Sequence, residues 1–146
     1  MSLYTLNQAE TFMLHPTHTM IAVLADETRV EEVIAAVQIH GIDPREISVL
    51  HGPAGREILD AEGSENGMLD KFMRLLEHVS EVQRTYVKYV DEQLAKGAYA
   101  LSIPVTDESK QDAIAEVLKT AHARFAVYFR KASIVDLQVP RDVAVL

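Results

Sequence analysis

The chain has no cysteine. That excludes disulfides, thiolate nucleophiles and cysteine-ligated zinc or iron-sulfur centres. No stretch approaches the roughly 20 apolar residues that a membrane-spanning helix needs. The opening "MSLYTLNQAETFMLHPTH" lacks the basic region and apolar core of a secretion signal. An excess of positive charge is also missing: 14 Lys and Arg stand against 22 Asp and Glu, a formal net charge of -8 at pH 7. Such a chain is repelled by nucleic acid and by anionic membranes unless a local basic cluster offsets the charge. The nearest approach is Arg124 to Lys131, where three cations are separated by five apolar residues in the manner of a strand. The expectations are a cytoplasmic protein with no nucleic-acid partner, no membrane partner, no cofactor and no metal.

What is present suits one ordinary domain. With 146 residues, 48% of them hydrophobic and 25% charged, the chain can bury roughly two thirds of its unfolded surface around one core. No metal or disulfide staple is required. The expected division is a leader over residues 1–18, a single α+β domain over 19–139 and a tail over 140–146. In the leader, "LNQAETFML" has the length of one or two helical turns before Pro16 stops it.

The domain reads as two similar halves. "TMIAVLA" from Thr19 is a short apolar run suited to a buried strand. "DETRVEEVIAAVQIHG" follows, with Val30, Val33, Ile34 and Val37 on one helix face, Asp26 or Thr28 to cap its start and Gly41 to end it. "REISVLH" supplies a second strand ending at His51. In the second half "AYALSIPV" is a strand, "TDESKQDAIAEVLKTAHA" a capped helix with Ile114, Val117, Leu118 and Ala121 on one face, and "RFAVYFR" another strand. "ASIVDLQVPRDVAVL" then alternates apolar and polar residues, as an extra edge strand or an arm would.

Between the halves, neither Gly nor Pro occurs from Met68 to Lys96. Leu69, Phe72, Leu76, Val79, Tyr86 and Val90 recur at helical spacing, and Gly97 ends the pattern. A continuous helix here would span about 40 Å. It would carry more apolar surface than one four-stranded sheet can cover, which predicts a homodimer. The preferred architecture is a ferredoxin-like α+β sandwich of two βαβ halves, with helices on one side of the sheet and this long helical insertion between the halves. The alternative is a parallel α/β sheet with helices on both faces.

From Ile21 to Gly63, "IAVLADETRVEEVIAAVQIHGIDPREISVLHGPAGREILDAEG", the chain resembles the small bacterial general-stress-protein type: a strand, an acidic cap, a helix, a second strand and a Gly-containing turn. The resemblance covers under a third of the sequence. It implies a non-enzymatic, stress-associated role and assigns no catalytic residue.

The most recognisable candidate site lies in that stretch. "HGPAGR" follows a strand and opens a helix, so backbone N–H groups point toward the strand's C-terminal edge, where anions gather in open sheets. The other helix starts carry "DETRVEE" and "TDESKQD", whose carboxylates repel an anion. This one has no acid before Glu57 and brings Arg56. A phosphate-bearing metabolite would be held by His51, Gly52, Ala54, Gly55 and Arg56, with a protonated His51 strengthening the contact. The turn matches neither the P-loop nor the dinucleotide pattern, and the plainer reading is a helix start with Pro53 at its first position. On sequence grounds Arg56→Glu would leave the unliganded fold nearly unchanged. The six histidines, His15, His18, His40, His51, His78 and His122, show no metal-ligand spacing, and acid pairs such as Glu31 and Glu32 read as solvated helix faces. Two functions follow: a small stress-associated binding or regulatory domain acting as a homodimer, or an enzyme or sensor that takes a phosphate-bearing metabolite at His51 to Arg56.

Overall fold

A computed structural model describes residues 5–6, 18–59, 81–130 and 134–140. The described part of the chain is an α+β fold. Strand β1 is Thr5–Leu6, and β2 (Thr19–Leu24) leads into helix α1 (Glu27–Gln38) and strand β3 (Ser48–His51). Helix α2 (Gly52–Leu59) follows at once, then helix α3 (Glu81–Ala95), strand β4 (Tyr99–Pro104), helix α4 (Gln111–Thr120) and strands β5 (Phe125–Phe129) and β6 (Ile134–Gln138). The strands form one sheet in the order β1-β3-β4-β2-β5-β6. β1 runs parallel to β3, and every other neighbouring pair is antiparallel. The parallel-sheet alternative is therefore not the architecture adopted. β2 and β3 are joined through α1 with β4 between them, and β4 and β5 are joined through α4 with β2 between them.

Alternation along the strands divides the core into two layers. Met20, Ala22 and Leu24 of β2 and Leu101 and Ile103 of β4 lie in one apolar cluster with α1 and α4. The helix faces in it are those the spacing requires: Val30, Val33, Ile34 and Val37 of α1, and Ile114 and Leu118 of α4. The intervening residues Ile21, Val23, Leu50, Ala100 and Phe125 are buried as well, so the opposite face of the sheet is also covered. Helix α3 supplies that cover. Tyr86 meets Phe125 edge-on with ring centroids 5.2 Å apart, and Tyr89 stacks on it at 5.3 Å. Helices confined to one side of the sheet, as expected above, is thus corrected: α3 packs on the second face. Its Tyr86, Val90 and Leu94, four residues apart, are buried, so this part of the apolar stripe is covered within one chain. The rest of the expected long helix, from Met68 to Ser80, lies outside the described residues.

Local chemistry explains several boundaries. The Asp26 side chain accepts from the Arg29 N–H at 3.0 Å and caps α1. Asp43 and Asp107 act likewise on short 3-10 turns, Pro44–Glu46 and Glu108–Lys110. The expected strand "REISVLH" is consequently shorter and begins at Ser48, and Asp107 caps the 3-10 turn before α4 rather than α4 itself. Leu6, expected to open a helical turn, sits in β1. "IVDLQ" forms the edge strand β6.

Three helices end in the same backbone motif. After α1 and α3 the left-handed position is Gly41 (φ 85) and Gly97 (φ 92). After α4 it is His122 (φ 57), whose N–H donates to Lys119 O at 3.0 Å while Ala123 N–H donates to Leu118 O at 3.0 Å. A side chain with a Cβ is strained in that region and glycine is not. His122→Gly is therefore expected to stabilise the fold by about 0.5–1 kcal/mol, the relief of strain exceeding the added freedom of the unfolded chain. Urea denaturation checks this; a loss of stability would contradict it.

Candidate functional site

The turn after β3 is built by three local constraints. His51, the last residue of the strand, lies opposite Tyr99 on β4, and the two rings stack with centroids 3.9 Å apart and planes 5° from parallel. Gly52 then adopts φ 59, and a Cβ placed there would meet no atom within 4 Å. The left-handed backbone, not lack of space, is what requires glycine. The Gly52 N–H donates to Ala98 O at 3.2 Å, tying the turn to the entry of β4. Pro53 and Ala54 are exposed at the start of α2, whose first turn has no acidic residue, and Gly55 is buried.

Arg56 closes the turn in an unanticipated way. Its Nε donates to Asp91 Oδ1 on α3 at 3.0 Å. The Asp91 side chain is only 10% exposed, whereas that of Arg56 is 45% exposed. Removing a carboxylate this far from water without a partner costs several kcal/mol, and the guanidinium supplies that partner. The five candidate residues His51, Gly52, Ala54, Gly55 and Arg56 are contiguous in space as in sequence, but the Arg56 Nε faces α3. Nearby on α3, the buried Gln93 accepts from Arg124 Nη1 at 3.0 Å. Asp91, Gln93 and Tyr99 escaped the sequence reading. For Asp91 and Gln93 the signal was faint, polar residues placed one position off the Tyr86, Val90, Leu94 stripe; Tyr99 carried none, since its partner is set by strand register.

Comparison with known protein families, with curated proteins and with solved structures finds no match.

A second polar group occupies the other end of the sheet. Glu108 accepts from Arg130 at 2.9 Å and lies 3.3 Å from His18 Nε2. The hydrogen bond from Arg130 holds the Glu108 carboxyl below the usual carboxylate range. Arg124 and Arg130, two cations of the Arg124 to Lys131 stretch, are thus engaged with Gln93 and Glu108. At the far edge Tyr86 donates its hydroxyl to Asp136 Oδ1 on β6 at 2.9 Å. Burial, together with this bond, pushes the phenol up to about 12, so it remains a donor at neutral pH.

Two hollows on the described surface are lined by no residue of the turn. A groove of about 380 Å³ lies between α1 and α4, and one of about 260 Å³ lies between α4 and β6. Among the described residues no group of three or more His, Asp or Glu could hold a metal. No described helix is long and apolar enough to cross a membrane.

Proposed function

We propose that the chain is a small cytoplasmic, stress-associated binding or regulatory domain of ferredoxin-like plan, acting as a homodimer without catalytic chemistry of its own. The observation that carries this reading is the Arg56–Asp91 ion pair. A guanidinium already committed to a nearly buried carboxylate has lost much of its attraction for a phosphate, because the pair is close to neutral. The turn then acts as a junction holding α2 against α3. Support for the ferredoxin-like plan comes from the strand order: counted along the chain, β2, β3, β4 and β5 lie in the order second, third, first, fourth. The stress association rests on the resemblance from Ile21 to Gly63, whose described part runs through β2, α1, β3 and α2.

A second reading keeps the phosphate-bearing metabolite at His51 to Arg56. It is favoured by the exposed, acid-free start of α2. A thermal-shift screen with inorganic phosphate, nucleotides and phosphorylated sugars separates the two. A ligand at a hundred times its dissociation constant stabilises the fold by about 2.7 kcal/mol. The binding-domain reading expects no shift from any of them. A saturable shift that disappears in Arg56→Ala would overturn it in favour of the second.

A further inference from the structure

We propose that the face formed by α1 and α4 is the surface through which two copies of this chain pair, Ile39 of each entering the groove of the other. The inference rests on the homodimer reading and names its interface. Part of the apolar stripe that first suggested a dimer is covered by the chain's own sheet, and a different apolar surface lies open on the described part of the molecule. Among the described residues Ile39 is the large hydrophobic side chain left outside, 84% exposed at the C-terminal end of α1. Beside it lies the 380 Å³ groove, whose walls include Ala36 on α1 and Ala113, Val117 and Ala121 on α4. Short side chains on both helices leave the gap, and its size accommodates a branched aliphatic side chain. Knob and hole on the same face of the same chain are what a two-fold symmetric contact requires.

The charges select a second copy over other occupants. Glu32, Ala36 and His40 follow one another at four-residue steps along the rim. If the two-fold axis passes at Ala36, the paired α1 helices run antiparallel, alanine faces alanine, and Glu32 of each copy faces His40 of the other. An imidazole donates an N–H to a carboxylate in its neutral or its charged form. Glu32 already receives Arg29 Nη1 at 3.1 Å on Oε2, which leaves lone pairs to accept from the imidazole. With Glu116 also on the rim, the face repels a polyanion. Small side chains at the axis allow close approach of the helices, and the exposed isoleucine becomes the central anchor that such interfaces depend on.

Sedimentation equilibrium of the full chain tests the proposal. The unaltered protein is expected to dimerise at tens of micromolar. Ile39→Asp and Ala36→Arg, both at positions not needed by the core, should raise the dissociation constant by at least about tenfold with an unchanged circular dichroism spectrum. Lys88→Asp, on the exposed side of α3, should have no effect. His40→Glu should weaken pairing, and adding Glu32→Lys should restore it, a rescue specific to this register. Dimers that persist in both Ile39→Asp and Ala36→Arg would overturn the interface and leave the homodimer reading standing. An unaltered protein that is monomeric throughout would overturn both.

Discussion

Phe125→Ala is expected to cost about 3–5 kcal/mol, the range for deleting a fully buried aromatic ring. Phe125 is inaccessible to solvent. Its ring is the point where α3 meets the sheet, with Tyr86 edge-on at 75° and Tyr89 stacked at 29°. Two aromatic contacts are lost together with the buried area, each worth about 0.5–1.5 kcal/mol beyond that area. The cavity would fall between layers and not within one, so α3 should loosen before the α1 and α4 layer does. The chain has five tyrosines and no tryptophan, so Tyr86 and Tyr89 contribute to a near-ultraviolet circular dichroism signal free of tryptophan. Urea denaturation measures the cost. A value below about 1 kcal/mol, with the tyrosine signal unchanged, would mean that α3 does not depend on this contact.

Arg56→Glu is expected to cost about 2–3 kcal/mol. Leaving a buried partner of an ion pair unmatched typically costs 3–5 kcal/mol, and the exposure of Arg56 reduces this because water can screen the remaining charges. The new carboxylate also lies beside Asp91, adding repulsion. This corrects the expectation that Arg56→Glu is a neutral surface change. That expectation treated the residue through its own helix, where it lies on the solvent side, and its partner is 35 residues further along the chain. Arg56→Gln, which keeps a donor, should cost less. Urea denaturation of both variants checks the order; equal and negligible effects would contradict it.

The elements with local causes were legible. The spacing of Val30, Val33, Ile34 and Val37 set the buried face of α1 and Gly41 its end, and of the two cap candidates, Asp26 and Thr28, the structure uses Asp26. The same reasoning found Ile114 and Leu118 on α4. The third layer was harder. "MIAVLA" without a polar residue is the pattern of a strand covered on both faces, and all six residues of β2 are buried. Ser102 in β4 argued the other way, since a serine in a strand usually marks a solvated face. It is nevertheless buried, as is Ser48 opposite it on β3. Polarity misled because small hydroxyl side chains fit under a covering layer that a sequence does not display. At the candidate site, the glycine requirement at Gly52 and the acid-free helix start were readable. The stacking of His51 on Tyr99 and the capture of Arg56 by Asp91 depend on strand register and helix docking, which no local pattern encodes.

If the Gly-Pro-Ala-Gly turn is a structural junction held by Arg56 and Asp91, the two side chains are energetically coupled. A double-mutant cycle on this pair tests it most directly: the stabilities of the unaltered chain, Arg56→Ala, Asp91→Ala and the double variant, measured by urea denaturation with and without inorganic phosphate. The expected coupling energy is about 1–2 kcal/mol, as for contacting charged groups with one nearly buried partner, and the same value in phosphate. Additive costs within about 0.3 kcal/mol, or a coupling that phosphate abolishes while stabilising the unaltered chain, would contradict it.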